Sequence, residues 1–94
     1  MAHIEISRRH VLGRARAHRE AEAVAGALRR RFNVRTAWDG DVLRVEGTGV
    51  RGAITATADV VRVSAHLGLA LRPLRGALER EIARHLDAFA GAEV

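Results

Sequence analysis

The residues of this chain whose types could do chemistry are five histidines, a crowd of arginines and a few carboxylates. His3, His10, His18, His66 and His85 show no H-x-x-x-H or H-E-x-x-H spacing. Sequence spacing therefore defines no metal site, and a metal would need ligands that converge only in space. Cysteine is absent, which excludes disulfides, thiolate catalysis and Cys-based zinc sites. General acid–base work needs carboxyls that converge on a cleft. Asp39 and Asp41 are close, but Asp39-Gly40-Asp41 reads as a turn whose carboxylates serve the backbone. Glu79 and Glu81 point to different sides of a helix. Ser7 and Ser64 lie in strands, outside any Gly-x-Ser-x-Gly elbow. The glycines from Gly47 to Gly52 lack the lysine and the following helix of a phosphate-binding loop. No cofactor is expected, and an enzyme is the least favoured class.

The arginines are harder to set aside. All sixteen basic residues are arginine, a composition that fits the codon bias of a GC-rich bacterial genome. Residues 1–35 carry nine Arg against three Glu, a net of +6, while the remainder carries seven Arg against eight acids, a net of −1. Any acidic partner should therefore meet the first third. There Arg8, Arg9, His10, Gly13, Arg14, Arg16 and Arg19 gather where a strand hands over to a helix, whose N-terminus adds positive potential. They form the candidate interaction surface; the plainer alternative is a solvated face. Nucleic acid is disfavoured as a partner, because Phe32, Trp38 and Phe89 all suit core positions and leave no stacking platform. No helix-turn-helix pattern is present.

The positioning elements follow from hydrophobic spacing. His3 to Ser7 alternates as a short strand. A helix is predicted from Leu12 to Arg31, with Ala17, Ala21, Val24, Ala25, Leu28 and Phe32 on one face and Asn33 as a left-handed stop. Val34 to Trp38 and Val42 to Glu46 make a hairpin around Asp39-Gly40-Asp41. Gly47 to Gly52 reads as a loop or bulged hairpin, Ala53 to Thr57 as a weak strand, and the Val60 strand, with Val61, Val63, Ala65 and Leu67 on one face, as the clearest. Leu67, Leu71, Leu74, Leu78, Ile82, Leu86 and Phe89 predict one long amphipathic helix with Pro73 in its first turn. His85 falls inside its apolar stripe and, with Arg75, forms a candidate pocket beneath the helix. The plain alternative is a histidine at the edge of a core. Surface pairs are expected at i,i+4: Arg16–Glu20, His18–Glu22, Arg75–Glu79 and Glu81–His85.

The order β-α-β-β-β-β-α in 94 residues predicts one domain spanning residues 1–94. It is a two-layer α+β fold: a single curved antiparallel sheet with both helices on one face, a reduced helix-grip arrangement. The first strand is expected at an edge beside the Val60 strand. A homodimer through an edge strand is an expectation that sequence leaves open. No stretch approaches the ~20 apolar residues of a membrane span, and the first residues do not read as a secretory signal, so a soluble cytoplasmic protein is expected.

Four pieces in order carry a family resemblance. They are His10-Val11-Leu12-Gly13 with Ala15-Arg16; Trp38-Asp39-Gly40-Asp41; Gly49-Val50-Arg51-Gly52; and Leu67-Gly68-Leu69 leading to Leu78-Glu79-Arg80-Glu81-Ile82 and Leu86-Asp87. Together they resemble the polyhydroxyalkanoic acid system protein family, small bacterial proteins associated with polyester storage-granule genes. The resemblance implies a non-catalytic accessory role in granule formation or regulation, with the granule surface or granule-associated proteins as partners. It brings no catalytic residues. Two other readings stand beside it: a small hydrophobic-ligand binder using the space between sheet and last helix, and a nucleic-acid-binding module using the basic first third.

Overall fold

The computed structural model describes residues 2–91. Strand β1 (Ala2–Arg9) leads to helix α1 (Arg14–Arg31). A meander follows, of β2 (Val34–Asp39), β3 (Val42–Gly47), β4 (Val50–Ala56) and β5 (Val60–Leu67). A 3₁₀ segment (Leu69–Leu74) then leads into helix α2 (Arg75–Gly91). The five strands form one antiparallel sheet in the order β1-β5-β4-β3-β2. The α+β order expected from the sequence is present, and β1 pairs with β5 as anticipated. β1 runs two residues past Ser7 because Arg8 and Arg9 still find partners in Val61 and Val60.

Alternation decides which strand face is covered. Ile4, Ile6, Leu43, Val45, Ile54, Val61, Val63 and Leu67 are buried beneath the helices. Their neighbours Glu5, Arg44, Glu46, Arg62 and His66 are exposed on the other face. The two helices divide the covered face: α2 lies over β1 and β5, while α1 lies mainly over β4, β3 and β2. Ala17, Ala21, Ala25 and Ala27 of α1 are buried, and such short side chains let the helix backbone approach the sheet. α2 supplies bulk instead, through Leu78, Ile82, Leu86 and Phe89.

At the helices, α1 ends at Arg31 as expected, while its start, its stop signal and the reach of the last helix differ for local reasons. α1 starts at Arg14, not Leu12, because Gly13 has φ +89° and sets the entry angle before the first turn. α1 does not stop at a left-handed Asn33, since no described non-glycine residue has positive φ. Phe32 is extended, its N–H bonds Leu28 O at 2.8 Å, and the chain passes straight into β2. The long helix from Leu67 is three pieces. Leu67 is held in β5 opposite Ala2 and Val50, and Gly68 N–H reaches Gly49 O at 2.8 Å. Pro73, with no N–H, closes the 3₁₀ segment, and regular α-helix begins only at Arg75. Leu74, expected in the stripe, is 39% exposed.

The glycines from Gly47 to Gly52 form a tighter hairpin than a loop. Gly47 pairs with Val50, Thr48-Gly49 makes the connection, and β4 begins three residues before Ala53. At Gly40, φ is +63° and Asp39 pairs with Val42, so the first hairpin turns on glycine as its sequence requires.

Candidate functional site

The seven residues of the basic junction do not form one patch. Arg8 turns to the helix side, and its Nε donates to Asp87 Oδ1 of α2 at 2.6 Å. Arg14 Nε donates to Asp41 Oδ1, also at 2.6 Å, and His18 Nε2 reaches the same oxygen at 2.9 Å. The hydrogen bond from His18, then that from Arg14, holds the Asp41 carboxyl below its ordinary range. Arg9 stays exposed on the sheet side. His10 is buried at 3% exposure, the buried polar residue of the core. Leu12 N–H donates to His10 Nδ1 at 3.1 Å, which leaves Nε2 to carry the proton and donate to Thr57 O at 3.1 Å. The ring also meets Phe89 edge-on, with centroids 4.9 Å apart. His10 therefore ties the strand–helix junction to the β4–β5 turn and the end of α2. A continuous phosphate-binding stripe, as the nucleic-acid reading needs, is not what this geometry presents.

Of the remaining three, Gly13 sets the entry into α1, and Arg16 and Arg19 are exposed on α1 and flank an open groove of about 400 Å³ with Glu20, His85, Ala88 and Phe89. Arg75 and His85 do not share a pocket: Arg75 Nε donates to His3 O at 2.9 Å, at the opposite end of α2. Under the helices, the void bordered by Leu28, Val45, Ile54, Val63 and Leu78 is about 10 Å³. That is no more than one water's worth of space. The hydrophobic-ligand reading thus loses its cavity to close-packed side chains, and His85 is a half-buried histidine on a groove wall.

In place of the expected i,i+4 pairs, His18, Glu22, Arg75 and Glu81 bond to other elements. His18 stacks on Trp38, centroids 4.2 Å apart and planes within 2°, before meeting Asp41. Glu22 accepts from Trp38 Nε1 at 2.6 Å, and Arg29 donates to Thr36 Oγ1 at 3.0 Å. Glu81 accepts from Arg31 Nε at 2.6 Å. Trp38, expected in the core, is half-buried at the β2 edge, where this network covers it.

Glu20, expected on the surface in a pair with Arg16, is instead half-buried and unpaired at Oε2. It lies three residues after Ala17 and four before Val24, at the border of the apolar stripe, which is the signal that could have exposed it. Its Oε2 is buried without a hydrogen-bond partner, and burial lifts its carboxyl from an ordinary 4.5 to about 7. Arg16, Arg19 and His85 line the same groove without offsetting that burial. The unfolded chain ionises Glu20 near 4.5, while the folded chain keeps the proton to about 7. Between those values the unfolded state binds fewer protons, so Glu20 lowers stability as pH rises through that window. The carboxyl is partly exposed, so the cost after solvent screening is about 1–2 kcal/mol. Glu20→Gln is expected to raise Tm at pH 8 and leave it unchanged at pH 4. Thermal denaturation across that range checks this, and a gain equal at both pH values would contradict it.

At the opposite end of the sheet the surface is apolar. Leu69 is 71% exposed, and Ala70, Pro73 and Leu74 are exposed with it. Beside this turn lies an open hollow of about 500 Å³ lined by Gly47, Gly49, Val50, Arg51, His66, Leu67 and Gly68. Gly49 has φ +79°, and a Cβ there would sit 3.2 Å from Leu71 Cδ1, so the β3–β4 connection needs glycine beside the turn. Arg51, Arg72 and Arg75 border the region and are exposed.

Fold and site together define a small two-layer α+β domain in which Arg8–Asp87, Arg14–Asp41 and Arg31–Glu81 join separate elements, and in which a 3₁₀ turn exposes Leu69 and Leu74. The model of the family described as putative polyhydroxyalkanoic acid system protein matches residues 4–89. The chain belongs to that family. Comparisons with curated proteins and with solved structures gave no match. No helix among the described residues is long and apolar enough to cross a membrane.

Proposed function

We propose that the protein is a non-catalytic accessory of polyhydroxyalkanoate storage-granule formation or regulation, and that it works by docking its apolar 3₁₀ turn on the granule surface or on a protein of that surface. The family supports the setting, and a granule setting is a cytoplasmic one. The single observation that carries the mode of action is the exposure of Leu69 and Leu74 on a turn whose Leu71 packs against the core. A polyester presents aliphatic surface and ester carbonyls but no hydrogen-bond donors. Apolar side chains ringed by arginine donors suit it. The sequence offers the basic junction as a candidate contact surface; the docking reading moves the contact to the opposite end of the sheet, because Arg8, His10 and Arg14 are engaged in internal bonds.

Partial burial of two leucines contributes on the order of 2–3 kcal/mol, which is more than tenfold in affinity. The double variant Leu69→Asp with Leu74→Asp is therefore expected to lose at least tenfold in binding to purified polyhydroxyalkanoate particles while keeping its circular dichroism and Tm. Sedimentation of protein with particles measures it. Binding that is unchanged by the double substitution would sink the docking mode, and a protein that does not bind the particles and leaves polymer content unaltered on deletion would sink the accessory role.

A further inference from the structure

β1 and β5 lie side by side, with His3 directly opposite His66. Both are exposed on the sheet face away from the helices, while their neighbours Ile4 and Leu67 are buried. The two Nδ1 atoms are 3.3 Å apart, and the rings are tilted by 48° with centroids 4.4 Å apart. In a tetrahedral zinc site with Zn–N bonds of about 2.0–2.1 Å, two ligand nitrogens stand about 3.3–3.4 Å apart. The pair already has the bite of a chelate. Glu5 Oε1 lies 3.6 Å from His3 Nε2, beyond hydrogen-bond distance, and adds negative charge beside the pair that favours a cation.

We propose that His3 and His66 form a two-point site for zinc. The remaining coordination positions are open to water or to a group on a bound molecule. Among the described residues, no three His, Cys, Asp or Glu side chains are grouped to hold a metal by themselves, so two imidazoles set the affinity and the site is a weak, exchangeable one. The charges around it are mixed. Glu5 favours a cation; Arg51, opposite His66 on β4, opposes one, and its guanidinium leans 3.9 Å from Glu46. Arg75 binds His3 through the backbone carbonyl and does not compete for the ring. Because His66 also lines the hollow beside the apolar turn, a bound metal fastens β1 to β5 at the end of the sheet where that hollow opens. The metal site stands independently of the granule reading.

The test is a zinc chloride titration of the full chain, followed through histidine side-chain nitrogen resonances and through Tm. Expected are joint shifts of the His3 and His66 Nδ1 signals, one zinc per chain and a Tm several degrees higher. His66→Gln should abolish all three, and His85→Gln should leave them in place. Absence of His3 and His66 shifts at millimolar zinc would overturn the site. So would a response that survives His66→Gln, since His3 and the nearby backbone then suffice. The resonances of the unsubstituted chain decide the matter even if a variant folds poorly.

Discussion

His10→Ala is expected to cost the folded state about 3 kcal/mol, roughly 12–24 °C in Tm for a domain of this size. Removal of the ring leaves the Leu12 N–H and the Thr57 carbonyl without their partners at a site only 3% exposed. Each orphaned group costs about 1–3 kcal/mol. The edge contact with Phe89 is lost too, and with it about 0.5–1.5 kcal/mol. Three segments come apart together: the strand–helix junction, the β4–β5 turn and the end of α2. His10→Asn, whose side-chain oxygen can accept from Leu12 N–H, should recover part of the loss. Thermal and urea denaturation measure both variants. A His10→Ala protein with unchanged Tm but weakened particle binding would return His10 to the interaction surface and contradict its structural role.

The same chemical change at two glycines is expected to act in opposite directions. Gly52 lies inside β4, opposite Val45 and Ala65. A Cβ there runs into Ser64 O, with Ala65 Cα at 3.1 Å and Ala65 Cβ at 3.2 Å. The obstacle is the backbone of the neighbouring strand, which cannot step aside as a side chain does. Gly52→Ala should therefore destabilise by about 2–3 kcal/mol, the upper part of the overpacking range. Gly26 lies within α1, and the nearest atoms to an added Cβ are the Arg29 and Arg30 guanidinium tips at 3.9 Å. There the gain in helix propensity prevails, and Gly26→Ala should stabilise by about 0.5–1 kcal/mol. Urea titration of the two variants beside the parent separates the signs. A Gly52→Ala protein as stable as the parent would mean that β4 and β5 are not in the register described.

The resemblance motifs acquire physical reasons in this fold. His10 and Gly13 set the path from β1 into α1. Asp41, at the end of the Trp38–Asp41 motif, binds Arg14 and His18 of α1 across the β2–β3 turn. Gly49 and Gly52 let the β3–β4 hairpin turn and lie against β5. Gly68 ties the end of β5 back to Gly49.

The sequence by itself determined the class and order of the elements, because alternation in Val61–Leu67 and helical spacing in Leu78–Phe89 are local properties of the chain. It also determined the glycine turn at Gly40, since positive φ is a property of one residue. Only the tertiary structure decided where the Leu67–Phe89 series breaks. Leucines in strand, 3₁₀ turn and helix can share one helical spacing, and ladder bonds to Ala2, Gly49 and Val50 resolve it. The same holds for the charges. Arg8 finds Asp87, Arg14 finds Asp41 and Arg31 finds Glu81 across separations that local spacing does not encode. His3 and His66 are 63 residues apart in the chain, and they meet because β1 returns to pair with β5. Spacing rules find metal ligands on one helix or turn. A cross-strand pair exists only after the sheet has closed its register.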